Sequence, residues 1–311
     1  MTKVLTFFKG MLVGIANIIP GVSGGTFALI LGIYERLLAS IGGFGLRSVK
    51  VTIDFLMHPS RKNRRQEFLV SMREADAAWL LILLCGAALA VLASSRLITF
   101  LLDEYRAQTL AFFVGLIVPS IMVPVGLLGR KSWKEVLSCL VAAGMLVGLT
   151  LVFEPGQETA SGLLTLFIAG AIAISAMILP GVSGSFVLMV MGEYRTVLEA
   201  INTWDFLKLG VFGAGCVVGI LAFVRLLNHL LKRFHSVTIA FLIGLILGSL
   251  WVLWPFKVVA SGEKIITGKN VFPVAFDAVV AWSIAAFVLG LVCSAGLFYM
   301  GKAREKTSSG V

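Results

Sequence analysis

The sequence predicts an all-α polytopic membrane protein with an inverted-topology two-fold repeat, each half a re-entrant helical hairpin plus three transmembrane helices. Three observations carry that expectation. Apolar runs of membrane-crossing length recur along the chain, a Pro-Gly-Val-Ser-Gly break occurs twice, and each repeat holds an odd number of crossings.

The apolar runs come first. Of 311 residues, 59% are hydrophobic and 14% charged, where a soluble domain carries about 25% charged. The hydrocarbon layer is ~30 Å thick, so a helix rising about 1.5 Å per residue needs roughly 20 apolar residues to cross it. The stretches 77–102, 109–128, 206–231, 238–256 and 276–300 meet that length. The N-terminal run to Ile19 resembles a signal peptide but lacks a small-residue cleavage site, and reads as mature structure.

The repeat is explicit. Residues 20–25 read Pro-Gly-Val-Ser-Gly-Gly and residues 180–185 read Pro-Gly-Val-Ser-Gly-Ser, an offset of 160 that continues through Gly32/Gly192 and Tyr34/Tyr194. A second block, from Arg96-Leu97/Arg225-Leu226 to Ile117/Ile246, matches at an offset of 129. The difference of 31 is an insertion in the first half, which residues 44–76 fit. That stretch is basic, and its apolar Leu46, Val49 and Ile53 fall at the spacing of an amphipathic surface helix. The halves are therefore 1–156, with hairpin 4–41 and the insertion, and 157–311, with hairpin 162–201. Expected helices are 4–19, 26–41, 78–102, 108–128 and 135–153, then 162–179, 186–201, 206–231, 237–256 and 275–300.

Parity sets the topology. Whether the short helices cross or re-enter, each half makes three or five crossings, so the second half is inverted, a transporter signature. The charge pattern assigns sides. With the N-terminus inside, cytoplasmic positions collect Lys3, Lys9, the cluster Arg61-Lys62-Asn63-Arg64-Arg65, Arg130, Lys131, Lys134, Lys232, Arg233 and the C-terminal lysines. The opposite loops hold few, and 154–161 holds none. Both termini are expected in the cytoplasm of a bacterial inner-membrane protein. The formal charge of +10 belongs to this asymmetry, not to nucleic acid.

The breaks carry the chemistry. Pro20 and Pro180 end one helix by removing a donor and crowding the preceding turn; Gly21 and Gly181 permit the reversal. Each chain then restarts a helix, so Ser23, Gly24, Gly25 and Thr26, and opposite them Ser183, Gly184 and Ser185, offer amides and hydroxyls at a positive dipole end. Such an end suits an anion, phosphate above all. Arg96 and Arg225 occupy equivalent places deep in their helices and could bind phosphate bidentately. Glu35-Arg36 and Glu193/Arg195 set acid beside base inside apolar segments, as an ion pair or a coupling group. Asn17 adds a polar group beside the first break only, opposite Met177. The four cysteines sit singly within apolar segments and the three histidines are scattered, so no metal or cofactor is expected. No nucleophile–base pair or nucleotide fingerprint appears, and enzyme chemistry is not indicated.

The run Gly14-Ile15-Ala16-Asn17-Ile18-Ile19-Pro20-Gly21-Val22-Ser23-Gly24-Gly25-Thr26, with Gly32-Ile33-Tyr34-Glu35 and the second-half Leu179-to-Ser185 and Gly192-Glu193-Tyr194-Arg195, resembles the polyprenyl-phosphate transporter family along essentially the whole chain. The resemblance implies translocation of undecaprenyl phosphate, the lipid carrier of envelope sugars, from the outer to the inner leaflet for recycling. The phosphate would lodge between the hairpin tips while the prenyl chain stays in lipid. A transporter of a small anion or ion is the alternative on the same architecture. The two copies differ at Thr26/Phe186 and Glu35/Arg195, so the hairpins need not contribute equally. Oligomeric state is not legible in the sequence.

Overall fold

The computed structural model describes residues 3–18, 23–58, 61–129, 132–152, 162–258 and 269–308. Its first hairpin comprises α1 (Lys3–Ile18), α2 (Gly24–Ile30) and α3 (Tyr34–Gly43), followed by α4 (Leu46–Met57) and α5 (Lys62–Glu74). The spans α6 (Ala77–Glu104), α7 (Arg106–Ser120) with the short α8 (Met122–Gly126), and α9 (Trp133–Val152) complete the first half. The second half has α10 (Leu163–Ile178), α11 (Gly184–Val190), α12 (Tyr194–Asn202), α13 (Phe206–Arg233), α14 (His235–Val252) and α15 (Ala278–Ser308). A two-residue strand pair, β1 (Lys257–Val258) with β2 (Lys269–Asn270), joins the last two. Among the described residues six helices are long and apolar enough to cross a membrane, and the chain is a multi-pass all-α membrane protein.

Three expected elements divide. The hairpin arms 26–41 and 186–201 are each two short helices, because Gly32 (φ +63°) and Gly192 (φ +74°) take the left-handed conformation that ends a helix. At the first of these the chain turns through 119°. The expected helix 108–128 breaks after Ser120, where Pro119 removes a backbone donor and crowds the turn before it. The insertion, expected as one surface helix, is a pair: α4 and α5 pack together through stacked Phe55 and Phe68 rings 4.6 Å apart and an Arg64–Asp54 ion pair of 2.8 Å. Ile53, Met57, Leu69 and Val70 stay exposed on it.

Helix pairing follows the repeat. A Cβ on Gly10 would collide with the Leu83 carbonyl, and one on Gly86 with that of Phe7. The positions related by the two offsets repeat both approaches: Gly170 against Phe212, Gly215 against Phe167. Gly14 lies against Ala87 as Gly10 does against Leu83, so α1 runs parallel to α6; Phe167/Gly215 and Ala171/Gly219 show the same for α10 and α13. Small residues are what let membrane helices pack this closely. The second span of each repeat pairs with the last span of the other, α7 with α15 and α14 with α9. α7 and α14 are the most buried spans, holding Leu110, Ile117, Leu242, Leu245 and Ile246 in the core. The outer spans expose Leu92, Leu140, Phe206 and Trp282, a surface suited to lipid.

The first hairpin returns to the end where it started. Lys9 Nζ donates to the Leu31 carbonyl at the bend, and α3 then passes the beginning of α6, where Arg36 pairs with Asp76 at 2.6 Å and lies over the Trp79 ring at 4.5 Å. At the end of α3, Gly43 abuts Ala75 while Gly42 abuts Val224 and Asn228 of α13. The beginning of α6 therefore lies beside the last part of α13. The second hairpin ends at the other extreme of that helix, since only residues 203–205 separate α12 from Phe206. From Phe206 to Asn228 an ideal helix rises about 33 Å, close to the thickness of a hydrocarbon layer.

The α1–α6 approach gives a direct test. Gly86→Leu drives a side chain into the Phe7 carbonyl, and overpacking of this kind costs about 1–3 kcal/mol. Thermal unfolding of detergent-solubilised protein is expected to fall several degrees for Gly86→Leu, and far less for Gly144→Leu, whose added Cβ meets nothing within 4 Å.

Candidate functional site

The two breaks touch. Pro20 and Gly21 lie outside the described residues, but the segment that follows them is well placed. Ser23 caps α2 by accepting the Gly25 amide at 3.1 Å, and its hydroxyl proton is shared between the carbonyls of Met177 (3.1 Å) and Leu179 (3.0 Å) at the second break. In return the Gly181 amide donates to Thr26 Oγ1 at 2.9 Å. Gly25 is packed so tightly that a Cβ there would strike the Ile178 carbonyl. The last carbonyls of a helix lack partners within it; here a hydroxyl from the opposite hairpin supplies one. Both Ser23 and Thr26 are buried.

Among the described residues of the first break, the amides from Gly24 to Phe27 all have acceptors. The Gly24 amide donates to Asn17 Oδ1 at 3.0 Å, and the Thr26 and Phe27 amides donate to the Ser23 carbonyl. Asn17, a weak signal in the sequence, is thus a cap. The second break is built differently. Met177 replaces Asn17 and lies over Gly184, and Ser183 makes no side-chain cap. Its hydroxyl instead meets that of Ser185 at 2.9 Å, on the exposed side of α11. Pro180 and Gly181 are buried, and Gly181 takes φ +82° against the Leu245 carbonyl and Ser249 of α14. Of the two sets of expected phosphate ligands, Ser183 and Ser185 are the ones turned outward.

The remaining candidates lie elsewhere. Arg96 and Arg225 are exposed and form no ion pair or hydrogen bond with either break among the described residues. Arg225 reaches toward Gly45, at the link between α3 and α4. By the parallel register of α1 on α6, Gly14 beside Ala87, Arg96 lies beyond the position that faces the end of α1. Arg36 is partnered by Asp76, not by Glu35, which is exposed. Glu193 is 3% exposed and its Oε2 has no hydrogen-bond partner; Arg195 is exposed.

An apolar groove of about 780 Å³ opens between α1, α2, α6, α7 and α15. It reaches the site at Phe27, the residue after Thr26, and none of the break serines line it. Sequence reasoning had no signal for it, because its walls come from helices far apart in the chain.

Paired broken helices, joined tip to tip and surrounded by apolar spans, define a membrane protein of the transporter class. Residues 13–271 match the family described as undecaprenyl phosphate translocase-like, and the chain belongs to that family. A polyprenyl-phosphate transporter of Vibrio cholerae is 34% identical over 317 residues, covering 98% of each chain. A polyprenyl-phosphate transporter of Staphylococcus aureus is 30% identical over 270 residues, 81% of this chain and 87% of its own. These names describe translocation, not a chemical conversion. No solved structure matches.

The contact between the breaks makes a second prediction. Thr26→Val keeps the shape but leaves the buried Gly181 amide without its acceptor, a loss of about 1–3 kcal/mol. Thermal stability should drop for Thr26→Val and be largely restored in Thr26→Ser.

Proposed function

We propose that this protein translocates a polyprenyl phosphate, undecaprenyl phosphate in bacteria, from the outer to the inner leaflet of the cytoplasmic membrane. The observation that carries the reading is the tip-to-tip contact of two broken helices in a chain whose relatives are named polyprenyl-phosphate transporters. The headgroup is held at the paired breaks. Ser183 and Ser185 supply the outward-facing hydroxyls on either side of Gly184, and the break around Ser23, Gly24, Gly25 and Thr26 braces them from behind. Arg96 neutralises the phosphate when the hairpin moves, and Arg225 serves the equivalent state. Glu35, Arg36, Glu193 and Arg195 are the groups available for coupling. A lipid cargo is supported by the mostly apolar groove beside the site.

The motion we assign is alternating access between inverted halves. The antiparallel meeting of α6 and α13 at the end of α3 supports the inversion. An asymmetry supports the motion. α3 packs on α13, with Gly42 against Val224 and Asn228, but the repeat-related α12 makes no comparable packing on α6 among the described residues. One mouth is closed and its counterpart is open. With both termini cytoplasmic, the closed mouth faces the cytoplasm.

Reconstituted proteoliposomes carrying undecaprenyl phosphate in one leaflet test the headgroup site. A hydrogen bond to a charged group contributes about 1.5–3 kcal/mol, which corresponds to roughly 10–100-fold. Ser185→Ala and Arg96→Ala should each slow translocation by about tenfold or more, and full rates in both variants would contradict the assignment. The motion has its own test in a background lacking the native cysteines. A disulfide between Gly42→Cys and Asn228→Cys should arrest transport until reduced. One between Asn202→Cys and Thr99→Cys, the repeat-related positions, should form only as the protein cycles.

A further inference from the structure

Of the four groups available for coupling, Glu35 and Arg195 are exposed and Arg36 pairs with Asp76. Glu193 differs from all three: it is 3% exposed, and its Oε2 has no hydrogen-bond partner among the described residues. We propose that Glu193 is a proton-binding site, and that its proton decides whether α12 stays folded on its own half. The inference deepens the transport reading given above and rests on it.

The bend sets the surroundings of the carboxyl. After Gly192 (φ +74°), Glu193 takes the N-cap position of α12, yet its side chain caps no amide there. Its amide donates to the Leu188 carbonyl at 2.9 Å, and its carbonyl accepts from the Val197 amide at 3.0 Å. Leu188 and Val197 belong to a buried apolar cluster with Leu166, Ala169 and Ala173, so the bend is tied on both sides to hydrocarbon. The helices around it bring little charge. α2, α10 and α11 carry no titratable residue. α12 brings Tyr194, Arg195 and Glu199, of which the last two are exposed. α13 brings Lys208, which pairs with Asp205 at 3.6 Å, and Cys216, whose thiol donates to the Gly170 carbonyl. Arg225, His229, Lys232 and Arg233 lie toward the far end of that helix.

The first hairpin shows that the bend itself does not require an acid. At the offset of 160, Glu193 corresponds to Ile33, which is 2% exposed. The first bend also receives a cation, Lys9 Nζ donating to the Leu31 carbonyl, where the second has Ala169 and Met191. A carboxylate buried without a partner is costly enough that it takes up a neutralising ion. Hard metal cations take about six to eight oxygen ligands, and no group of three or more His, Cys, Asp or Glu side chains gathers among the described residues. A proton needs one oxygen, which Oε2 offers. With the proton on, the bend keeps its apolar packing and α12 stays packed on α13. Loss of the proton to water at the outer mouth leaves an anion that the cluster cannot hold, and α12 is released toward α6.

Spin labels on Asn202→Cys and Thr99→Cys, in full-length protein lacking the native cysteines and held in lipid nanodiscs, report the swing as a distance by pulsed electron paramagnetic resonance. Raising the pH from about 5 to about 9 should increase the short-distance population roughly tenfold or more, because a proton-linked equilibrium shifts by up to about tenfold per pH unit. Glu193→Gln, which cannot ionise, should keep the long distance at every pH. Glu193→Ile, which carries the residue of the first hairpin, should do the same and shows that the bend still folds. A pH response in Glu193→Gln equal to that of the parent, or no response in the parent, overturns the proton site. A response that follows sodium concentration at fixed pH overturns it too. In each of these cases, proteoliposomes that still translocate undecaprenyl phosphate leave the transport reading standing. Failure of the parent to translocate at any pH overturns both readings together.

Discussion

The structure depends on one constraint, that a helix broken inside a membrane protein must find partners for the backbone groups it frees. No water in the hydrocarbon layer supplies them, and each unsatisfied group costs several kcal/mol. Here the two breaks answer each other. Ser23 covers the carbonyls at the end of α10, and Thr26 accepts the amide of Gly181. Neither hairpin could hold its tip at that depth alone.

The spans exist around that contact. α1 and α10 lie against α6 and α13 through glycine approaches repeated in each half, which hold the tips at fixed depth. The exchange of partners between α7 and α15, and α14 and α9, binds the halves into one body. The outer portion of each hairpin lies beyond the left-handed Gly32 and Gly192. Among the described residues α3 packs on α13, and α12 makes no comparable packing on α6.

The repeat is imperfect at the breaks. Asn17 closes the first break by taking the Gly24 amide, and Met177 at the equivalent place leaves Gly184 without such a cap. Ser23 turns inward to bridge the halves, whereas Ser183 turns outward to Ser185. The Thr26/Phe186 difference falls at the same step.

The sequence by itself determined the membrane class, the all-α fold and the place of the long apolar spans, although it carried the last only to residue 300 where α15 runs to Ser308. Apolar length and doubled motifs are local, and local patterns survive reading along one dimension. It also pointed to Ser183 and Ser185, to Arg96 and to the tips as a place. What only the tertiary structure decided is which break faces outward, since that turns on whether a backbone carbonyl 154 residues away receives the Ser23 hydroxyl. The same holds for the division of the hairpin arms. Gly32 and Gly192 were visible as repeated glycines, but a left-handed φ is selected by the packing of the arms they join. The groove, the pairing of Arg36 with Asp76 and the burial of Glu193 likewise arise between helices distant in the chain, where spacing along the sequence carries no record of proximity.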